Sequence, residues 1–135
     1  LEEASIIKQR RISYWNHYFS ALGAEFAPDE LQLPFIPQFA AHNGHIFWML
    51  LPDSNMATRV MNSLMERGIQ ASSHYVPLHT SPGGRKYSNK SKLPITESIA
   101  GRLVRLPIWS DSNLPVEEIT ADVITSVKSV LAHAK

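Results

Sequence analysis

The chain contains no cysteine. That excludes disulfides and thiolate metal sites, and it is compatible with a reducing compartment, so a cytoplasmic location is expected. No apolar run is long enough to span a bilayer; the longest, Ile46 to Leu51, is strand-sized. Charge of one sign is also missing. Thirteen Lys and Arg stand against twelve Asp and Glu, for a formal charge of +1, which points away from nucleic acid and from a membrane surface as partners. The first residues, Leu1-Glu2-Glu3-Ala4, lack an initiator Met and the charged and apolar regions of a signal peptide. They read as a helix entered partway, and a longer parent chain is expected.

What is present is ordinary globular material. Hydrophobic residues make up 44% and charged residues 19%, so the chain folds rather than staying disordered. Its 135 residues suit a single domain, 1–135, able to bury roughly two thirds of its unfolded surface.

Hydrophobic periodicity places the elements. Ala4 to Leu22 reads as an amphipathic helix with Ile7, Tyr14, Trp15, Tyr18, Phe19 and Leu22 on one stripe and Gly23 as its stop. Ala27 to Asn43, with Pro28, Pro34 and Pro37, reads as an extended, irregular connection. His45 to Leu51 reads as a strand covered on both faces. A helix capped by Asp53 or Ser54 follows, with Ala57, Val60, Met61, Leu64 and Met65 inward and Gly68 as a left-handed stop. Ile69 to Ser73 completes a strand, helix, strand unit. Thr80 to Pro94, rich in Gly, Pro, Ser and Lys, reads as a mobile loop. A short helix over Ile95 to Arg102 leads into the apolar Leu103 to Trp109. The last helix starts near Asn113 to Pro115, with Pro115 in its first turn. Val116, Ile119, Val123, Val127, Val130 and Leu131 form its buried stripe, and fraying is expected from Ala132 to Lys135. The fold class expected is α/β: a small mixed sheet of about three strands with helices packed on it.

Four constellations could carry chemistry. Six His suggest a metal, but His42/His45 and His74/His79 lie on no evident helix, and no carboxylate stands among them at a ligand spacing; no metal site is expected. Ser81-Pro82-Gly83-Gly84-Arg85-Lys86 has the glycines and cations of a phosphate loop without the Walker pattern. It reads as a solvated loop or as a lid that meets a phosphate when substrate is bound. No nucleophile stands with a base, so no catalytic residue is expected. His74, Tyr75 and His79 remain. They leave an apolar strand together, stiffened by Pro77, as a rigid element does when it presents polar groups to a ligand. From the residues alone, a binding role and a structural role are both open.

Three segments, in order, decide between relatives: His42-Asn43-Gly44-His45-Ile46-Phe47, His74-Tyr75-Val76-Pro77-Leu78-His79, and Arg102-Leu103-Val104-Arg105-Leu106-Pro107-Ile108-Trp109. With them, and with the Trp15-to-Tyr18 helix, the whole chain resembles the C-terminal part of the sugar aminotransferases of the DegT/DnrJ/EryC1/StrS family. The resemblance implies the small C-terminal domain of the aspartate aminotransferase fold type. It implies a pyridoxal 5′-phosphate (PLP) enzyme that works as a homodimer on a dTDP-sugar and L-glutamate. It implies that the cofactor lysine lies in a large N-terminal domain, absent here, so this chain alone binds no PLP covalently and is inactive. None of the six lysines sits in a segment like the family's cofactor-lysine motif. His74, Tyr75 and His79 are then substrate-side residues, and Asn43-Gly44-His45 leads into the central strand. Two rival readings stand beside it: a stand-alone ferredoxin-like binding module, and an oligomerisation domain associating through the Trp15 helix.

Overall fold

A computed structural model describes residues 2–87, 92–110 and 113–133. Helix α1 spans Glu2–Glu25 and buries Tyr14, Trp15, Tyr18 and Leu22. Residues 2–10 are all exposed, so the first turns of α1 extend past the rest of the fold. Ile7 therefore lies off the core at 39% exposure, and Phe19, at 41%, stacks on Trp15 from outside. Gly23 does not end the helix. The Phe26 N–H closes a further turn on the Leu22 carbonyl at 3.1 Å, and the burial of Phe26 outweighs the helix-breaking tendency of glycine.

The connection after α1 is irregular, as its prolines require. Gln32 alone in it pairs with a strand, exchanging two backbone hydrogen bonds with Leu50. Strand β1 covers Phe47–Leu50, shorter than the expected His45 to Leu51. Helix α2 spans Ser54–Glu66. The Asp53 carboxylate caps it by accepting the Met56 N–H at 2.8 Å, and Gly68 follows at φ 76°. Ala57, Val60 and Leu64 are buried, while Met65, expected inward, is 64% exposed at the last turn. Strand β2 is only Ser72–Ser73. Helix α3, Pro94–Arg102, runs without a loop into strand β3, Leu103–Leu106. Helix α4 spans Val116–Ala132, with Pro115 just before its first turn rather than in it. Fraying at the last two residues lies outside the described residues.

The sheet has the three strands expected, in the order β1-β3-β2. Both pairings are antiparallel, where a mixed sheet was expected. The reason is the place of β3. It inserts between β1 and β2, so these two run the same way without touching. The centre of the sheet is therefore β3, and not the strand that Asn43-Gly44-His45 enters.

The two faces of the sheet differ. Phe47, Met49, Val104 and Leu106 face α1, α2 and α4 and join Tyr18, Leu22, Val60, Leu64, Val123 and Val127 in one core. On the opposite face Leu50 is buried, but Trp48, Leu103 and Arg105 are only half covered. The strand is thus not covered on both faces; one face stays open to build a site. Polar side chains also enter the core through α4. Thr120 and Ser126 are buried, Thr120 donating to the Val116 carbonyl at 2.6 Å and Ser126 accepting from Ser63 at 3.0 Å.

Candidate functional site

Two walls meet on the open face. The first is the turn from His42 to Ile46, held by α1. Gly44 has φ +63°, and a Cβ there would stand 2.7 Å from the Ile12 nitrogen. Only glycine allows the turn to lie this close to the helix backbone. The Gly44 N–H donates to His42 Nδ1 at 3.2 Å. The neutral His42 ring therefore carries its proton on Nε2, 3.1 Å from Asn16 Oδ1. The Trp15 indole donates to the Ile46 carbonyl at 2.9 Å, and the Asn43 side chain accepts the His45 N–H at 3.0 Å. Arg11 Nη2 donates to the His45 carbonyl at 2.8 Å and lies 3.3 Å from His45 Nδ1. A guanidinium cannot accept, so Nδ1 is the acceptor and the neutral ring keeps its N–H on Nε2.

The second wall begins where β2 ends. Ser72 stands opposite Arg105, on the open face, and strand alternation brings His74 to the same side. His74 lines two clefts. One, of about 420 Å³, is bounded by Asn43, His45, Ile46, Trp48, His74 and Leu103. The other, of about 350 Å³, is bounded by residues 73–77 with Thr80, Glu97, Ala100 and Gly101. Tyr75 is 75% exposed, its ring 4.6 Å from that of His74. His74 and Tyr75 are thus brought together, as their sequence spacing suggested.

His79 is placed differently. Its side chain is 12% exposed and its Nε2 lies 2.9 Å from Glu97 Oε1 on α3. Glu97 Oε1 also accepts the Leu93 N–H at 3.1 Å. The His79 hydrogen bond, then the Leu93 N–H, hold the Glu97 carboxyl below its ordinary pKa. His79 borders neither cleft directly; it ties the loop to α3. Sequence reading missed Glu97, which lies 18 residues away with no pattern to link them. It also missed Trp48 and His45 as cleft residues, since a continuous apolar run hides which face a residue takes.

The loop after His79 has more order than its composition suggests. Leu78–Thr80 and Gly84–Lys86 form two 3-10 turns. A Cβ at Gly84 would stand 1.6 Å from the Leu78 carbonyl oxygen, so only glycine lets the turns pack. The N–H groups of Gly84, Arg85, Lys86 and Tyr87 are all bonded within the loop, and Arg85 Nε donates to the Thr80 carbonyl at 2.7 Å. No row of free amides from 84 to 87 awaits a phosphate. Within the expected mobile loop, Thr80 to Pro94, residues 88–91 lie outside the described residues.

Among the described residues no group of three His, Cys, Asp or Glu could hold a metal, and no helix is long and apolar enough to cross a membrane. Of the described lysines, Lys128 pairs with Glu25, and none borders either cleft at His74. PLP needs a lysine for its imine and an acid at its pyridine nitrogen; among the described residues Glu97 borders the second cleft and no lysine borders either.

The sequence pattern of the DegT/DnrJ/EryC1/StrS aminotransferase family matches residues 1–128. The chain belongs to that family. An uncharacterized protein of Methanocaldococcus jannaschii is 26% identical over 98% of this chain and 34% of its own length. The aminotransferase TlmJ from Streptoalloteichus hindustanus superposes with a TM-score of 0.77 at 22% identity, over 91% of this chain and 32% of TlmJ. S. venezuelae DesV, solved in complex with a ketimine intermediate, gives a TM-score of 0.68 at 26% identity, over 90% of this chain and 31% of DesV. The chain spans about a third of the length of these relatives.

Proposed function

We propose that this chain is the C-terminal small domain of a PLP-dependent aminotransferase that moves an amino group from L-glutamate to the 4-keto carbon of a deoxy-sugar nucleotide. We read the parent as an enzyme like dTDP-4-amino-4,6-dideoxygalactose transaminase, of enterobacterial common antigen and lipopolysaccharide-type cell-surface polysaccharide synthesis, on the segments His74 to His79 and Arg102 to Trp109. The parent is a cytoplasmic homodimer, and PLP with its lysine belongs to a large N-terminal domain. This domain supplies substrate contacts and closure through His74 and Tyr75, with His79 holding their segment in place through Glu97.

One observation carries the reading. His74 leaves the sheet on its open face and borders both clefts, and Tyr75 beside it borders the second. An exposed imidazole and phenol on a rigid strand end suit sugar hydroxyls, which both donate and accept. The core-facing residues of β1 and β3, Phe47, Met49, Val104 and Leu106, by contrast, have no hydroxyl or charged group to offer.

The test has two parts. The full-length parent enzyme, with PLP, should release 2-oxoglutarate from L-glutamate beyond one equivalent per cofactor only when a dTDP-4-keto-6-deoxyhexose is supplied to take the amino group. The 135-residue chain alone, mixed with PLP and reduced with borohydride, should give only scattered surface labelling. Failure of the parent with every 4-keto sugar nucleotide, or a stoichiometric adduct at one lysine of this chain, would overturn the reading.

A further inference from the structure

The cleft of about 420 Å³ between the two walls has a composition of its own. Its apolar boundary is Trp48, Ile46 and Leu103, and its polar boundary is Asn43, His45 and His74. No charged side chain borders it. We propose that this cleft is a subsite for an uncharged, oxygen-bearing ring, held against Trp48 and hydrogen-bonded by His45 and Asn43. The choice of ring rests on the aminotransferase reading: in a nucleotide-linked sugar the ring is either the sugar or the base.

The donors are set by the fold. Arg11 occupies His45 Nδ1, so the neutral His45 ring offers Nε2–H. The Asn43 side-chain oxygen accepts the His45 N–H, which leaves the Asn43 amide –NH2 as a donor. Neither Nε2 of His45 nor Nδ2 of Asn43 has a protein partner among the described residues. Two such donors on one turn suit hydroxyl or carbonyl oxygens on one ring. Pre-set donors also save the ordering cost that a mobile side chain incurs on binding. Trp48 and Leu103 come from neighbouring strands and cannot move apart without breaking the β1–β3 ladder. The volume falls within the range of small-molecule sites, and a mostly apolar boundary with a few aimed polar groups is their usual make-up.

The absence of charge in the boundary separates the ring from the diphosphate. Lys and Arg are the usual side-chain partners of a diphosphate, and neither borders this cleft. The proposal therefore places the diphosphate outside this cleft when the ring is inside it.

The experiment uses the ¹⁵N-labelled chain and three separate probes: thymidine, a methyl 6-deoxyhexopyranoside and inorganic pyrophosphate. Binding is read from the Trp48 indole N–H and the His45 and His74 imidazole resonances. Saturable shifts with thymidine assign the cleft to the base, and shifts with the pyranoside assign it to the sugar; either result supports the subsite. His45→Ala should weaken the active probe roughly 2- to 12-fold, the span of one neutral hydrogen bond. His45→Gln, which keeps an N–H, should recover much of that. If His45→Ala fails to fold, Trp48→Leu, which removes the aromatic boundary and no donor, replaces it and should weaken the same probe. No saturable shift with either ring, or pyrophosphate binding more tightly than both, would overturn the proposal. Ring binding is read without turnover. Ring binding without amino transfer in the parent would defeat the aminotransferase reading alone, and amino transfer without ring binding would defeat this inference alone.

Discussion

The two walls of the open face are built in opposite ways. The turn from His42 to Ile46 is tied to α1 by Arg11, Trp15 and Asn16 and by a glycine with no room for a methyl group. The segment from His74 to His79 has Tyr75, Val76 and Leu78 at 75%, 66% and 82% exposure, and among the described residues its one side-chain hydrogen bond to an α-helix is His79 to Glu97. A wall held by many bonds fixes geometry, and it presents His45 Nε2–H and the Asn43 amide –NH2 as donors already set in place. A wall with unspent groups can meet a ligand. Substitutions in the first wall should cost stability first, and those in the second should cost turnover first.

The core beneath both walls sets the largest effect. Leu64→Asp or Val123→Asp places a carboxylate where the side chain is fully buried. An unpaired buried charge costs several kcal/mol against a total of about 5–15. Each variant should lose the cooperative unfolding transition seen by circular dichroism, and a denaturant midpoint equal to wild type would contradict the packing described.

Gly44→Ala comes next and tests the first wall. The left-handed backbone costs about 1–2 kcal/mol for a residue with a Cβ, and overpacking against Ile12 and Arg11 adds about 1–3. The denaturant midpoint should fall accordingly. A neutral result would show that the turn stands away from α1.

The alkaline limit is a smaller and graded effect from the same helix. Burial pushes the Tyr14 phenol up to about 12 from an ordinary 10. A raised pKa in the folded state gives stability that is present below pH 10 and lost as pH rises through about 12. Tyr14→Phe should flatten that loss in a titration of unfolding free energy against pH. Glu97 has the opposite sign. Its lowered pKa gives stability present above the ordinary carboxylate range and lost as pH falls through the lowered value. Glu97→Gln should remove that acid-side loss and loosen the second wall alone.

Much of this architecture is legible in the residues, and the misses have physical causes. Asp53 and Gly68 bracket α2 because a cap and a left-handed stop are local chemistry. The aromatic stripe of α1 was readable from Tyr14 to Leu22 because helical period is local too. Gly23 misled because Phe26 finds its burial only in the tertiary fold. The insertion of β3 between β1 and β2 is a long-range event that no local pattern announces, and the open face followed from it. The site was half legible. His74 and Tyr75 stand out as polar groups at a strand end with a nearby proline. The pairing of His79 with Glu97, and the turn of Asn43 and His45 against Arg11, depend on contacts across 18 and 34 residues.

The most direct test of the two-wall account is to measure melting temperature and kcat/KM together on His74→Ala and Tyr75→Phe in the full-length parent enzyme. One lost contact of about 0.5–3 kcal/mol lowers kcat/KM roughly 2- to 160-fold. The account predicts that loss with a melting temperature close to wild type, because both side chains are exposed. Unchanged kcat/KM with a lowered melting temperature would contradict it and make the second wall a structural element like the first.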